Sequence, residues 1–201
     1  MEASFLSRHP LIKDALNLGL FIVLVVIGTI LINTFVFRSY NVVGPSMEST
    51  MFTGDRLLVN RLPVTIAHIK GQNYTPERGQ VIVFENPQVT NAGSVENKFI
   101  VKRVIGLPGE RVVLKDGVFT VYNKEKPDGF NPDSLTPDVT SKESTGETDV
   151  TVPENEIFVS GDHREGSYSY DSRNGLGTIP LYDVIGPASL RIFPFNKIRG
   201  F

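Results

Sequence analysis

The stretch KFIVKRVIGLPGERVVLKDGVFTVYN, Lys98–Asn123, decides the fold class. It contains three short runs rich in β-branched and aromatic residues, separated by the turn-forming sequences LPGE and KDG. None of the three runs keeps a helical period, and an Asp-Gly pair between two such runs is a strong signal for a two-residue β-hairpin. The stretch therefore predicts antiparallel strands.

Similar runs recur through the rest of the chain, each bounded by Gly, Pro, Asn or Asp. Residues 38–201 are therefore predicted to form one mostly β domain built on an antiparallel β-sheet. A polar, proline-containing segment at 123–151 is predicted to be a long excursion from this domain. The other strand-like runs are RLLVN (56–60), QVIVFEN (80–86), EIFVSGD (156–162) and VIGPASLRIF (184–193).

The N-terminal part contains one long apolar run, Ala15–Phe37, of 23 residues without a charge. As an α-helix it would reach about 34 Å, enough to cross a hydrocarbon core of about 30 Å. The apolar core of a cleavable signal peptide is shorter and is followed by small residues, which are missing here. The run predicts one transmembrane helix at 15–37. Basic residues slightly favour a cytoplasmic segment at 1–14, which would make 38–201 extracytoplasmic.

Composition excludes several classes of function. The 201 residues include 20 Lys and Arg against 22 Asp and Glu, and this balance lacks the basic excess needed for non-specific nucleic acid binding. Cysteine is absent, which excludes disulfides, thiolate metal sites and a cysteine nucleophile. His9, His68 and His163 are isolated, and no His, Asp or Glu cluster has metal-ligand spacing. No cofactor, metal or nucleic acid partner is expected.

The segment GPSMEST, Gly44–Thr50, contains a serine with no histidine nearby. A serine hydroxyl needs a base to become a nucleophile, and a neutral lysine can serve as that base. Burial in the apolar run KFIVKRVIGL would lower the pKa of a lysine. Period-two alternation does not choose between Lys102 and Arg103, because each shares its face with two apolar residues, although arginine stays protonated.

The order of an apolar span, GPSMEST, KRVIGLPGE and GDHREGSYSYDSR resembles the type I signal peptidases, from the span to near the C-terminus. These are membrane-bound Ser/Lys endopeptidases that remove signal peptides from exported preproteins. The resemblance implies that Ser46 is the nucleophile and that Lys102 is its general base. It also implies that Asp162, Asp171 and Arg173 brace the site by ion pairs.

Two positions in these motifs need interpretation. Arg103 matches a structural arginine of the family, and we expect it to pair with Asp162. The third motif is two residues longer than usual, so counting back from DSR makes Ser169 the hydroxyl that orients the lysine, whereas counting forward from GDHR makes it Ser167. Ser169 is favoured because SYDSR keeps its local spacing.

The chain departs from the family pattern at three places. Ser49 replaces a proline, which removes a restriction on φ in the loop after the nucleophile. His163 replaces an asparagine. Gly44 stands where some members carry a serine that donates to the oxyanion, so either its backbone contributes or the second donor is lost.

The resemblance also implies a substrate and its binding residues. A signal peptide is extended near its cleavage site and has small residues of A-x-A type, so it needs a strand edge with two shallow apolar pockets. Tyr40, Val42, Met47 and Val101 are expected to line these pockets, with ordinary core packing as the alternative for each. The implied partners are signal peptides and the lipid bilayer, in the neighbourhood of the secretion translocon.

Two other functions compete with this interpretation. Self-cleaving repressors also have a GxSM serine and a downstream lysine, but they are soluble and carry a DNA-binding segment. A catalytically silent, membrane-anchored binding module would explain the departures at Ser49, Gly44 and His163. The presence of both Ser46 and Lys102 argues against it.

Overall fold

The computed structural model describes residues 9–88, 98–136, 139 and 143–201. Part of the predicted cytoplasmic segment, 1–8, and part of the predicted excursion, 137–138 and 140–142, lie outside the described residues. The α-helices are α1 (Pro10–Leu31) and α2 (Leu62–Ile69). The strands are β1 (Phe37–Asn41), β2 (Arg56–Asn60), β3 (Val81–Glu85), β4 (Phe99–Gly106), β5 (Arg111–Lys115), β6 (Val118–Tyr122), β7 (Thr148–Thr151), β8 (Glu156–Ser160), β9 (Ile179–Pro180), β10 (Val184–Phe193) and β11 (Arg199–Gly200).

Helix α1 carries the apolar run. It begins at Pro10, five residues before the predicted start, because proline is well suited to the first turn of a helix. A π-helical turn, Ile32–Val36, follows α1, and β1 starts at the next residue, Phe37. No residue of α1 is buried, and the 27 residues Pro10–Val36 form a helix long and apolar enough to cross a membrane.

The strands form two antiparallel sheets. The larger sheet has the order β1-β2-β10-β3-β4-β8-β9, with β11 also paired to β10, and the smaller has the order β6-β5-β7. All the runs expected to be strands are strands, and the prediction of a mostly antiparallel β fold with one N-terminal apolar helix is confirmed. The short helix α2 and strands β1, β7, β9 and β11 were not predicted.

The Asp-Gly hairpin joins β5 to β6 as expected. Asp116 and Gly117 both have positive φ, 50° and 78°, as a two-residue hairpin turn requires. The excursion is more ordered than a simple loop. It contains a 3₁₀ turn, Pro132–Leu135, and it returns as β7, which adds a third strand to the hairpin.

Strand β4 has apolar neighbours on both faces. Val104 belongs to a cluster between β3, β8 and the segment 176–184, whereas Ile105 belongs to a cluster beneath the smaller sheet. A third cluster lies under the loop after β1 and includes Met47, Met51 and Leu57. This central position explains why both polar residues of β4 are buried.

Candidate active site

The loop Val42–Asp55 follows β1 and carries Ser46. Its neck is closed by the Val42 N–H, which donates to the Asp55 carbonyl at 2.8 Å. The buried Asp55 carboxylate accepts a hydrogen bond from Arg191 Nη1 of β10 at 2.8 Å. On the residue after the serine, the Met47 side chain is fully buried in the core. The loop is therefore fixed at its two ends by hydrogen bonds and next to the serine by the buried Met47 side chain.

Ser46 and Lys102 are in direct contact. Lys102 Nζ lies 2.7 Å from Ser46 Oγ and also donates to the Val101 carbonyl at 3.0 Å. The lysine comes from β4 and the serine from the loop, 56 residues apart in the chain. A charged amine donates to the serine oxygen in this geometry, and a neutral amine accepts from the serine O–H. The pair can thus exchange a proton.

Burial lowers the pKa of the Lys102 ammonium from 10.5 to about 8. The nearby carboxylates of Asp171 and Asp162 oppose this shift, whereas the charge of Arg173 adds to it. A substantial fraction of Lys102 is therefore neutral at mildly alkaline pH, which is the state that can accept a proton.

Asp171 is the centre of a buried hydrogen-bond network. Its Oδ2 accepts from Ser169 Oγ at 2.6 Å, from the Gly161 N–H at 2.9 Å and from Arg173 Nη2 at 2.8 Å. Burial alone would raise the pKa of this carboxyl, but the hydrogen bonds and the charge of Arg173 lower it. Asp171 is therefore a fixed negative charge that acts on Lys102.

Ser169 and Ser167 have different surroundings. Ser169 is fully buried, and its hydroxyl donates to Asp171, whereas Ser167 is exposed. A β-carbon on Gly161 would come well within 3.0 Å of both Ser169 Oγ and the Ser46 carbonyl oxygen. Ser169 Oγ and the Ser46 carbonyl oxygen therefore both lie on the side of Gly161 from which a side chain would project. The hydrogen bond of Ser169 goes to Asp171, whose charge acts on Lys102.

Arg103 points away from the dyad and is held by the motif GDHR. Its Nε and Nη2 donate to the two oxygens of Asp162 at 2.7 and 2.6 Å, and its Nη1 donates to the Gly79 carbonyl at 2.7 Å. The ion pair expected between these residues is present, and both are buried. It fixes the start of the third motif beside β4.

His163 packs against the Ser46 loop. Its N–H donates to the Ser46 carbonyl at 3.1 Å, and its Nδ1 lies 3.2 Å from the Pro45 carbonyl. The ring stacks on Tyr168 with centroids 4.6 Å apart. This histidine therefore joins the third motif to the loop that carries Ser46.

The backbone N–H groups of Gly44 and Ser46 differ in whether they already have an acceptor. The Gly44 N–H donates to Thr53 Oγ1 at 3.0 Å, with φ of 89° at Gly44. By contrast, the Ser46 N–H has no acceptor among the described residues. The Gly44 amide is thus already used, and the Ser46 amide is available to an oxyanion.

A cleft of about 510 Å³ opens beside the dyad. One wall comes from β1 and the residues after it, and the other from the first half of β4, with aromatic side chains from the lengthened third motif at the rim. The cleft is lined by Tyr40, Asn41, Val42, Val43, Gly44, Pro45, Ser46, Leu57, Val83, Asn86, Phe99, Ile100, Val101, Lys102, Tyr168 and Tyr170.

The β4 wall of this cleft has an open strand edge. Strand β3 pairs with β4 from Phe99 to Arg103, but β8 begins to pair on the other side only at Arg103. Among the described residues, no strand covers the outer edge of residues 99–102. An extended peptide can therefore add to β4 there, directly next to Lys102.

Comparison with sequence models of protein families matches residues 15–193 to a family described as signal peptidase, peptidase S26. The chain belongs to this signal peptidase family. Its members are serine endopeptidases that act on signal peptides, and they are associated with membranes. The expected family and enzyme class are thereby confirmed.

Similar curated proteins are bacterial signal peptidases. Signal peptidase I of Bacillus licheniformis is 34% identical over 180 residues, covering 89% of this chain and 88% of that protein. Signal peptidase I S of Bacillus subtilis is 34% identical over 200 residues, covering 93% and 94%. A crystal structure of a signal peptidase I from Enterococcus faecalis is 27% identical, with a TM-score of 0.43, covering 57% of this chain and 97% of that one.

The signal peptidase cleft contains three of the four residues expected to line substrate pockets. Tyr40, Val42 and Val101 line it. Met47 does not, because its side chain is fully buried in the core beneath the loop. No cluster of three or more His, Asp or Glu side chains in the described part of the chain is placed to hold a metal ion.

Sequence reasoning missed two ion pairs that support the signal peptidase site, one buried and one partly buried. Arg191 holds Asp55 at the neck of the Ser46 loop, and Arg164 donates to both oxygens of Asp133 at 2.5 and 2.6 Å. Arg164 also donates to the Gly161 carbonyl at 2.9 Å and so ties the excursion to the third motif. The local signal for the Asp55–Arg191 pair was that Arg191 stands alone as a charged residue in the apolar run SLRIF.

Proposed function

We propose that this chain is a membrane-anchored signal peptidase that cleaves preproteins after A-x-A-like sites with a Ser46/Lys102 dyad. The observation that carries the proposal is the 2.7 Å contact between Lys102 Nζ and Ser46 Oγ, made by a buried lysine beside an open strand edge. A binding module has no need for a lysine held in an apolar site next to a serine hydroxyl. This contact therefore favours catalysis over silent binding.

The reaction begins when neutral Lys102 accepts the proton of Ser46 Oγ. The oxygen attacks the scissile carbonyl carbon, and the carbonyl oxygen takes the negative charge of the tetrahedral intermediate. The protonated lysine then gives its proton to the leaving amine as the peptide bond breaks, which leaves an acyl-enzyme. Water attacks the ester with Lys102 again as base, so that the signal peptide leaves as an acid and the serine is restored.

The Ser46 N–H is our candidate for the main oxyanion donor. It belongs to the nucleophile itself and has no acceptor among the described residues. Because the Gly44 N–H is bonded to Thr53, a second donor from that amide would require the loop to change conformation. A single preorganised donor still lowers the barrier substantially, as removal of one such donor costs about 3 kcal/mol.

Substrate binding is assigned to the open edge of β4. The residues before the scissile bond would extend along Phe99–Lys102 and pair with its backbone, which brings the carbonyl to the dyad. Tyr40, Val42 and Val101 would then face the small side chains of the A-x-A site. Large side chains would be excluded where these walls stand closest to the serine.

The remaining site residues are assigned positioning roles. Ser169 and Arg173 hold the Asp171 carboxylate, whose charge keeps the lysine pKa from falling further. Arg103 and Asp162 hold the third motif against β4. Helix α1 with its π-helical turn is assigned as the anchor, with the β domain on the extracytoplasmic side near the secretion translocon.

The proposal is tested by cleavage of a precursor with an A-x-A site, using full-length protein in lipid vesicles. Ser46→Ala and Lys102→Ala should each lower the rate by roughly 10³-fold or more. Lys98→Ala is the matched control, because Lys98 lies beside β4 but is about half exposed and pairs with Glu85 on the surface. Its rate should stay near wild type. No cleavage by wild type, or undiminished cleavage by Lys102→Ala, would overturn the dyad and favour a silent binding module.

A further inference from the structure

Helix α2 has its apolar side chains on the outside. Leu62, Ile66 and Ile69 are spaced i, i+4 and i+7, which places them on one face, and they are 39%, 49% and 80% exposed. Val64, on the opposite face, is buried against the body of the domain. A surface helix in water normally presents the reverse pattern.

The helix is fixed to the end of the apolar N-terminal helix. The Arg61 N–H donates to the Val36 carbonyl at 2.8 Å, and Thr65 Oγ1 donates to the Phe35 carbonyl at 2.8 Å. These carbonyls belong to the π-helical turn that ends the apolar helix. From Leu62 to Ile69 the helix rises about 10 Å, so the whole apolar face lies close to the point where the anchor ends.

A cationic cavity lies at the same junction. A space of about 420 Å³ is lined by Asn33, Thr34, Arg38, Ser39 and Arg61. Arg61 Nε is buried without a hydrogen-bond partner in the described residues, and neither arginine pairs with a carboxylate there. Two unneutralised guanidinium groups beside hydroxyl and amide side chains suit a phosphate group.

We propose that α2 is an interfacial helix and that the junction of α1, β1 and α2 binds the surface of an anionic phospholipid bilayer. Leu62, Ile66 and Ile69 enter the acyl region, while Arg38 and Arg61 bind lipid phosphate. The proposal rests on the proposed function in one respect, namely that α1 spans the membrane. Lipid is the occupant that matches both observations, since the apolar face and the cations adjoin the end of the anchor.

The absence of cysteine from the chain allows a direct test. Single cysteines at Leu62, Ile66 and Ile69 are labelled with an environment-sensitive fluorophore in full-length protein in vesicles of phosphatidylcholine and phosphatidylglycerol. Lipids that carry a quencher at the acyl boundary should quench all three labels at least twofold. Val118→Cys and Leu135→Cys are the controls, because both are exposed and apolar but lie on β6 and in the excursion. Their labels should not be quenched.

A further variant, Val25→Cys in the middle of α1, tests whether α1 spans the bilayer separately from whether α2 lies at its surface. Quenching at residue 25 by deep quenchers without quenching at α2 would overturn the interfacial helix and leave the anchor intact. No quenching at residue 25 would overturn the anchor and the interfacial helix together. Precursor cleavage by each labelled variant shows that it is folded. Because three positions on α2 are labelled, the test still works if one of these variants does not fold. A blue shift that depends on protein concentration instead of quencher would assign the face to a second copy.

The arginines are tested through the dependence on anionic lipid. Quenching at Ile69 should increase at least twofold as phosphatidylglycerol replaces phosphatidylcholine, and the double variant Arg38→Gln/Arg61→Gln should lose this increase. Arg111→Gln is the control, since Arg111 is exposed on the smaller sheet and pairs with Asp149. An unchanged lipid dependence in the double variant would overturn phosphate binding at the junction.

Discussion

The backbone of Gly161 lies directly against the carbonyl of Ser46, and a β-carbon at Gly161 would overlap that oxygen. The same β-carbon would overlap Ser169 Oγ. Because Gly161 has no side chain, the Ser46 loop and the buried Ser169 both pack directly against its backbone. The position of Ser46 therefore depends on a residue that has no side chain and takes no part in proton transfer.

Gly161→Ala should lower kcat by about 100-fold, since the added methyl group must displace the Ser46 loop or Ser169 by a sizeable fraction of an ångström. Cleavage kinetics and the melting temperature check this together. Gly200→Ala is the control, because a β-carbon there meets only the Ser189 carbonyl at 3.7 Å. Equal kcat values for the two variants would contradict the role of the close approach.

The pH dependence of cleavage should follow the protonation of Lys102. Burial lowers the pKa of this lysine to about 8, and only the neutral form can accept the serine proton. The value of kcat/KM should rise roughly tenfold per pH unit from pH 6 to about pH 8 and level off above it. A flat profile across this range, measured with a substrate that does not titrate there, would argue against a lysine base.

Lys102→Met should be inactive and yet more stable than wild type at pH 7. The folded protein holds the charged lysine in an apolar site, and a fall in pKa from 10.5 to about 8 corresponds to a penalty of up to about 3 kcal/mol. Because the unfolded state binds the proton more tightly, wild type should regain stability as pH rises from 8 to 10.5. Unfolding in denaturant at pH 7 and pH 10 measures both effects. A variant less stable than wild type at pH 7 would contradict the penalty.

Ser169→Ala should reduce kcat by roughly 10- to 100-fold, because Asp171 loses a buried donor and its charge beside Lys102 is less well fixed. It should also shift the pH profile, which a purely structural loss would not do. Ser167→Ala should behave like wild type, since Ser167 is exposed. The reverse ranking of the two variants would move the positioning role to Ser167.

Asp55→Ala should destabilise the protein by about 3–5 kcal/mol, since it leaves the charge of Arg191 buried without its partner. It should also lower kcat, because the pair holds the neck of the Ser46 loop. The matched control is Asp149→Ala, which removes the partner of Arg111 in an ion pair that is about half exposed. The melting temperature of that variant should hardly change. Similar losses in both variants would show that burial does not set the importance of these pairs.

The strands could be predicted from the sequence because their signals are local. Apolar runs, turn residues and the Asp-Gly pair lie within a few residues of one another, and each predicted run forms a strand. Alternation could not assign the base, because β4 packs on both faces, with Val104 in one cluster and Ile105 in another. A strand that is buried on both faces has no alternation of polar and apolar residues that would identify the face of the base.

The features that escaped prediction depend on distant contacts. Asp55 and Arg191 are 136 residues apart, and Asp133 and Arg164 are 31 residues apart, so neither pair leaves a local pattern. Helix α2 is only 8 residues long, which is too short for a clear helical period in the sequence. Met47 was expected in the substrate pocket, but an apolar side chain beside a nucleophile can equally anchor its loop.

The direct junction between the π-helical turn and β1 limits the distance between the end of the apolar helix and Ser46. Only nine residues lie between Val36 and Ser46, and the ten Cα–Cα steps from one to the other can reach at most about 35 Å. If the apolar helix spans a bilayer as proposed, the absence of a spacer between helix and sheet sets an upper limit on the distance of the serine from the membrane surface. A preprotein would then be chosen for the depth at which its scissile bond emerges as well as for the two small side chains before it.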